Sequence, residues 1–174
     1  MRVGRPLSGG CQCGAVRYHL SGSLIEPSIC HCRMCQKAFG AFYAPLVGVR
    51  RAGFRLTRGE LAIFRSSDLV ERGFCRDCGT PLTFDDLDRD EMAVSIGSLD
   101  DPSVARPIIQ FGLEGRIAWV GELDDLPGSN TPDEGPPAKY EAIRRTNHQH
   151  PDHDTAAWPP AGTSSRGQGS EIDG

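Results

Sequence analysis

A mainly β fold of short strands pinned by zinc, with one or two short helices, is what this sequence predicts. Two observations carry that expectation. The apolar runs are short, rich in β-branched and aromatic residues, and bounded by Gly, Pro, Asp or Ser, as strands are and long helices are not. The seven cysteines of the 174-residue chain fall in three tight clusters beside glycines or turns, the arrangement by which a metal ion staples a small sheet.

Taken in order, the strand candidates are "AVRYHL" (15–20), "AFYAPLVGV" (41–49), "LAIFRS" (61–66), "LVERGF" (69–74), "MAVSIG" (92–97), "PIIQF" (107–111) and "IAWV" (117–120). Helical candidates are short: "RMCQKAFG" (33–40), with Gly40 as its stop, and "PSVA" after "LDD" near residue 100. Core-forming residues thin out after Leu126, so residues 1–127 read as one zinc-binding β domain. Residues 128–174 read as a polar tail rich in Pro, Gly and His and partly disordered, with "KYEAIRR" able to form a helical turn or two. Its last stretch, Pro159 to Gly174, has almost nothing apolar and is expected to be disordered.

Charge excludes one class of function. Basic against acidic residues number 15 to 16 up to residue 127 and 4 to 7 beyond it, so neither part is a footprint for nucleic acid. No apolar run approaches the roughly 20 residues that span a bilayer, and the N-terminal stretch "MRVGRPLSGGCQCGAV" lacks the apolar core of a signal peptide. The expected compartment is the cytosol, where thiols stay reduced and clustered cysteines read as metal ligands before disulfides.

The clusters are "CQC" (Cys11, Cys13), "CHCRMC" (Cys30, Cys32, Cys35) and "CRDCG" (Cys75, Cys78). Spacing allows two partitions. Cys32 and Cys35 can join Cys75 and Cys78 as two knuckles of one ribbon, although the 39 residues between those knuckles exceed the roughly 15–20 usual for that pattern. Alternatively Cys11, Cys13, Cys75 and Cys78 close a structural zinc, and Cys30, Cys32 and Cys35 hold a second zinc with one position open. Three ligands and a vacancy are the ordinary signature of a catalytic metal. Three thiolates leave such a centre at net −1, poor at making hydroxide and better suited to holding a substrate thiolate. The competing expectation is a second structural ion with His31 or another side chain as fourth ligand.

Other side chains around the clusters divide in the same way. Arg33 and Lys37 flank the triplet and Arg72 and Arg76 flank the last knuckle, as contacts for an anionic substrate or as solvated charges. Phe39, Phe42, Tyr43 and Trp119 are candidates for a pocket wall or for core. His31 is the nearest titratable proton donor in sequence, with its ring expected to face solvent. The segment "NHQHPDHD", with His148, His150 and His153, is expected to be an incidental polar tail.

The stretches "SGGCQCGAVRYHL", "CHCRMCQKAFGA", "FRLTRGELAIFRSS", "RGFCRDCGTPLTF" and "MAVSIGSLDDP" together resemble the glutathione-dependent formaldehyde-activating enzyme family, which also includes centromere protein V. The resemblance runs from about Leu7 to Leu126. It implies a β-tent with two zinc ions per chain: a structural zinc at Cys11, Cys13, Cys75 and Cys78, and an active-site zinc at Cys30, Cys32 and Cys35. It also implies a carbon–sulfur lyase that condenses glutathione, or another small thiol, with formaldehyde or a similar aldehyde. Where many members carry a histidine and an aromatic residue, this chain has "IIQFG", which puts Gln110 and Phe111 at an expected substrate contact. The alternative function is a zinc-stabilised binding module with two structural ions and no catalysis.

Overall fold

The computed structural model describes residues 6–159; the stretch expected to be disordered, beyond Pro159, lies outside them. Ten short strands form two sheets among those residues. The smaller sheet runs β1 (Leu7–Gly10), β2 (Arg17–Leu20), β5 (Phe54–Arg58), antiparallel throughout. The larger has seven strands, among them β4 (Ala44–Arg50), paired with β3 (Ile25–Cys30) on one side and with the middle strand β9 (Glu91–Ser95) on the other. Beyond β9 lie β8 (Pro81–Asp86), β7 (Val70–Phe74) and β6 (Ala62–Arg65). Beyond β3 lies β10 (Ile109–Phe111), which pairs in parallel, the one departure from antiparallel pairing among these strands.

Strand β4 shows how the sequence builds two interiors. Side chains alternate across a strand, and Val47 and Val49 enter the main core with Tyr18, Leu20, Leu82 and Val94, whereas Ala44 and Leu46 face a smaller cluster around Cys35 and Phe84. Cys11 and Cys75 belong to the main core, so one cysteine set is embedded in it and the other lies at the edge of the smaller cluster. Gly9 lets β1 press onto this core: a Cβ there would lie 2.5 Å from the Tyr18 hydroxyl, which is itself hydrogen-bonded to Ser98 Oγ.

The helix expected at 33–40 is α1 (Arg33–Phe39), closed by Gly40 in the left-handed region. "PSVA" is a 3-10 turn, Pro102–Ala105, and "KYEAIRR" lies within α2 (Pro137–Thr146). One strand expectation fails. "IAWV" falls in a 3-10 helix, Ala118–Asp125, because the chain leaves the sheet at Gly112 (φ +64°), passes the start of α1 at Gly115, and packs Trp119 edge-on against Phe42, which follows the end of α1. No helix of the described residues is long and apolar enough to cross a membrane.

Candidate metal centres

The three cysteine clusters collapse into two groups of sulfurs. Cys11, Cys13, Cys75 and Cys78 have sulfurs within 4.8 Å of one another, and so do Cys30, Cys32 and Cys35. The ribbon partition, which joins Cys32 and Cys35 to Cys75 and Cys78, is not the grouping formed.

In the four-thiol group Cys11 Sγ lies 3.6 Å from Cys13 Sγ, and Cys13 Sγ lies 3.7 Å from Cys75 Sγ. A tetrahedral zinc with Zn–S near 2.3 Å needs edges of about 3.8 Å, so the donor set fits that ion. Two glycine turns make the site. Gly14 (φ +74°) donates to the Cys11 carbonyl and Gly79 (φ +76°) to the Cys75 carbonyl, each closing a loop that brings two sulfurs to one side. The Val16 amide donates to Cys11 Sγ and the Thr80 hydroxyl sits 3.2 Å from Cys78 Sγ. Burial pushes the Cys75 thiol up to about 11, whereas at Cys78 the burial is outweighed by Thr80 and the Cys13 amide, and the thiol falls to about 6.

The three-thiol group is assembled where β3 meets α1. Cys30 ends the strand, Cys32 caps the helix, and Cys35 lies buried in its first turn with its amide directed at Cys32 Sγ, 3.5 Å away. Burial raises the Cys30 thiol to about 12 and raises Cys35, while at Cys32 it is outweighed by the Cys35 amide and neighbouring sulfurs, which lower it. Three soft donors this close fit a thiophilic divalent ion, zinc foremost. Among the described residues no His, Asp or Glu donor joins the group. All three cysteines line a cavity of about 370 Å³ whose other walls include Leu46, Phe84 and Phe111.

Several expectations about the surroundings are corrected here. His31 is fully buried instead of facing solvent: its amide donates to the Phe111 carbonyl, and its Nε2 lies 2.9 Å from Gln110 Oε1. Gln110 is therefore occupied by His31, and the side chain that reaches the thiol cavity from β10 is Phe111. Gln36 extends the same network, donating to the carbonyls of His31 and Gly115 and tying α1 to the chain after β10. Phe42, Tyr43 and Trp119 pack against one another and, through Tyr43, against His31, and do not line the cavity. Arg33, Lys37 and Phe39 line a different, adjoining cavity.

Arg72 is the residue that sequence proximity misplaces. It precedes the Cys75 knuckle, yet it is buried beside the triplet: Nη2 donates to Cys35 Sγ at 3.5 Å, Nε donates to Ser66 Oγ at 3.1 Å, and the guanidinium lies 5.0 Å over the Phe84 ring. Nothing in the spacing points to this contact, because it depends on β7 crossing toward α1.

The histidine segment near the C-terminus is not an incidental tail. His150 is buried against Gly14, its amide donates to the carbonyl of Gln12 between Cys11 and Cys13, and its ring stacks edge-on with Trp158. Asp154 pairs with Arg17 and His19 of β2. His148 and His153 are exposed.

Comparison with known proteins follows the same outline. The family described as glutathione-dependent formaldehyde-activating enzyme matches residues 6–114, from the start of β1 to the turn after β10 and more than half of the chain. An uncharacterized lyase of Schizosaccharomyces pombe is 33% identical over 85 residues, 44% of this chain and 55% of that protein, so the chain spans about half the length of this curated relative. A crystal structure of a Rhodobacter sphaeroides protein aligns with a TM-score of 0.48 at 24% identity, covering 59% of this chain and 98% of that one. The match over both cysteine groups and all ten strands settles the family: this chain belongs to the family described as glutathione-dependent formaldehyde-activating enzyme.

Proposed function

We propose that the protein is a zinc-dependent carbon–sulfur lyase of the glutathione-dependent formaldehyde-activating type, joining a small thiol, glutathione in the family's named case, to formaldehyde or a similar aldehyde. The observation that supports this reading is the convergence of three sulfurs, with no fourth protein donor among the described residues, on the wall of a cavity. A binding module with two structural ions needs a saturated second centre, and among the described residues no His, Asp or Glu donor joins the triplet.

In this reading Cys11, Cys13, Cys75 and Cys78 hold a structural zinc, and Cys30, Cys32 and Cys35 hold the active-site zinc. A zinc ion bound by the triplet supplies the positive charge that keeps an incoming thiol in its thiolate form at neutral pH. Arg72, donating to Cys35 Sγ, offsets negative charge that accumulates as thiolates gather. Phe84 and Phe111 shield the reacting atoms from bulk water. The thiolate sulfur forms a bond to the carbonyl carbon, the C=O π pair moves to oxygen, and the resulting alkoxide takes a proton from solvent. The reverse reaction returns that proton and expels the thiolate. His31, buried and held by Gln110, is not on the cavity wall and is not assigned the proton transfer. A reducing compartment such as the cytosol fits a site built of free thiols.

The test is hydroxymethyl exchange between formaldehyde and glutathione, followed by NMR with protein that holds two zincs. Cys32→Ser is the informative variant, because serine is itself a good helix cap and leaves α1 intact. Acceleration that disappears in Cys32→Ser supports the lyase reading; no acceleration by the two-zinc protein rules out glutathione and formaldehyde as the pair.

A further inference from the structure

Beside the thiol cavity lies a larger one, of about 660 Å³, bounded by α1 on one side and β6, β7 and β8 on the other. Arg72 and Met34 line both, so the two spaces adjoin. Their charges differ. Glu26, Asp86 and Glu91 line the thiol cavity with Arg72 and Arg89, and Arg89 is paired with Asp86. The larger cavity is lined by Arg33, Lys37 and Arg72 and by no acidic residue.

None of these three cations has a carboxylate partner among the described residues. Arg72 is only 7% exposed, and after its bonds to Ser66 and Cys35 its Nη1 has no hydrogen-bond partner among the described residues. A guanidinium removed from water in this way calls for negative charge nearby. The walls are apolar and in part aromatic: Met34, Phe39, Phe64, Phe74 and Pro81. Met34 and Phe64 are 57% and 61% exposed, large apolar side chains left open at the cavity that they line. The volume is that of a small-molecule site.

We propose that this cavity is a binding site for an organic carboxylate carried on an apolar body, with the carboxylate among Arg33, Lys37 and Arg72 and the body against Phe39, Phe64 and Phe74. The acidic residues of the thiol cavity repel such a group, and the cationic cavity attracts it. The site shares Arg72 with the lyase reading, and its other cationic and aromatic walls, Arg33, Lys37, Phe39, Phe64 and Phe74, take no part in that reaction.

The test is calorimetric titration of the full chain, with its metals bound, with 4-phenylbutanoate and with the uncharged 4-phenylbutanamide, together with backbone NMR shifts. The acid is expected to bind about tenfold more tightly than the amide, as a charge-assisted contact implies. The shifts are expected at Phe64, Ser66 and Gly73. Replacing Arg33 and Lys37 together by Gln, both exposed on α1, removes one internal hydrogen bond, from Arg33 to Gln36 Oε1, and is expected to weaken the acid and spare the amide. Phe64→Ser is expected to weaken both. Equal binding of acid and amide, no binding of either, or shifts confined to Cys30, Gly48 and Phe111 on the thiol cavity would overturn the proposal. So would self-association that fills the face with a second copy and abolishes binding as concentration rises.

Discussion

Arg72 carries more of the site than its place in the sequence suggests. Its guanidinium touches Cys35, Ser66 and Phe84 at once, and the Cys35 contact is a hydrogen bond to a prospective metal ligand. Partners of metal ligands orient them and steady their charge, and removing one commonly costs about 10–100-fold in metal affinity. Arg72→Met keeps the length and the contact with Phe84 while deleting the donor. It is expected to weaken metal binding at the triplet by about tenfold and to leave the four-thiol group unchanged. Competition with a chromogenic chelator, read as two separate release phases, checks this; two unaltered phases would remove Arg72 from the site. The seven cysteines were legible because spacing and glycine context are local properties. Arg72, 37 residues from its sulfur, was not, nor was the burial of His31, which depends on Gln110 arriving from β10.

At the scale of elements, β10 and the turn behind it set the position of the triplet. Strand β10 pairs with the last three residues of β3, and the chain then bends at Gly112 so closely against α1 that a Cβ there would lie 2.6 Å from the Cys32 amide nitrogen. Gly112→Ala meets both a left-handed backbone (φ +64°) and a collision with backbone, so it is expected to cost about 2 kcal/mol and to loosen the metal at the triplet. Gly40→Ala is the control: φ is +58° but the Cβ meets nothing within 4 Å, and the cost is limited to the conformational penalty of about 1 kcal/mol, with metal retained. Urea unfolding and zinc content of the two variants distinguish the effects. The strands legible in the sequence are those whose apolar residues run together, β4 and β9 above all. Those missed have identifiable reasons: β1 is "LSGG", chosen for closeness to Tyr18; β3 contains Glu26 at φ +41° and Pro27; β5 alternates with arginines; and β8 opens on Pro81 and ends on Asp85 and Asp86. "IAWV" has strand composition, but the chain has already left the sheet at Gly112.

Across the whole molecule, the segment after α2 returns to β2 and the loop carrying Cys11 and Cys13 and braces the four-thiol site. Arg17, 3% exposed, donates to Asp100 through both terminal nitrogens and to Asp154 of the returning segment. Burial works against the charge of Asp100, but Arg17 and the Ser8 hydroxyl outweigh it and hold the carboxyl below its ordinary range; Asp154 is held low in the same way by His19 and Arg17. A carboxylate with a depressed value in the folded state stabilises fully above the unfolded value of about 3.9, and that contribution is lost as pH falls through the folded one. Asp100→Asn is therefore expected to cost about 2–3 kcal/mol at pH 7. The difference from the parent protein is expected to shrink below about pH 4, where both lose the pair. Acid release of metal is common to both proteins and cancels in the comparison. Deleting residues 147–174 tests the brace directly. It removes Asp154 and also His150, whose amide holds the Gln12 carbonyl at 2.7 Å and whose ring covers Gly14, so the loop carrying Cys11 and Cys13 loses its support. The shortened chain is expected to unfold at lower urea, by about 2 kcal/mol, and to release metal from the four-thiol site faster, with the triplet's release unchanged. Equal stability and equal release would show that the returning segment only rests on the domain, whereas faster release from the triplet alone would place its influence at the other thiol group.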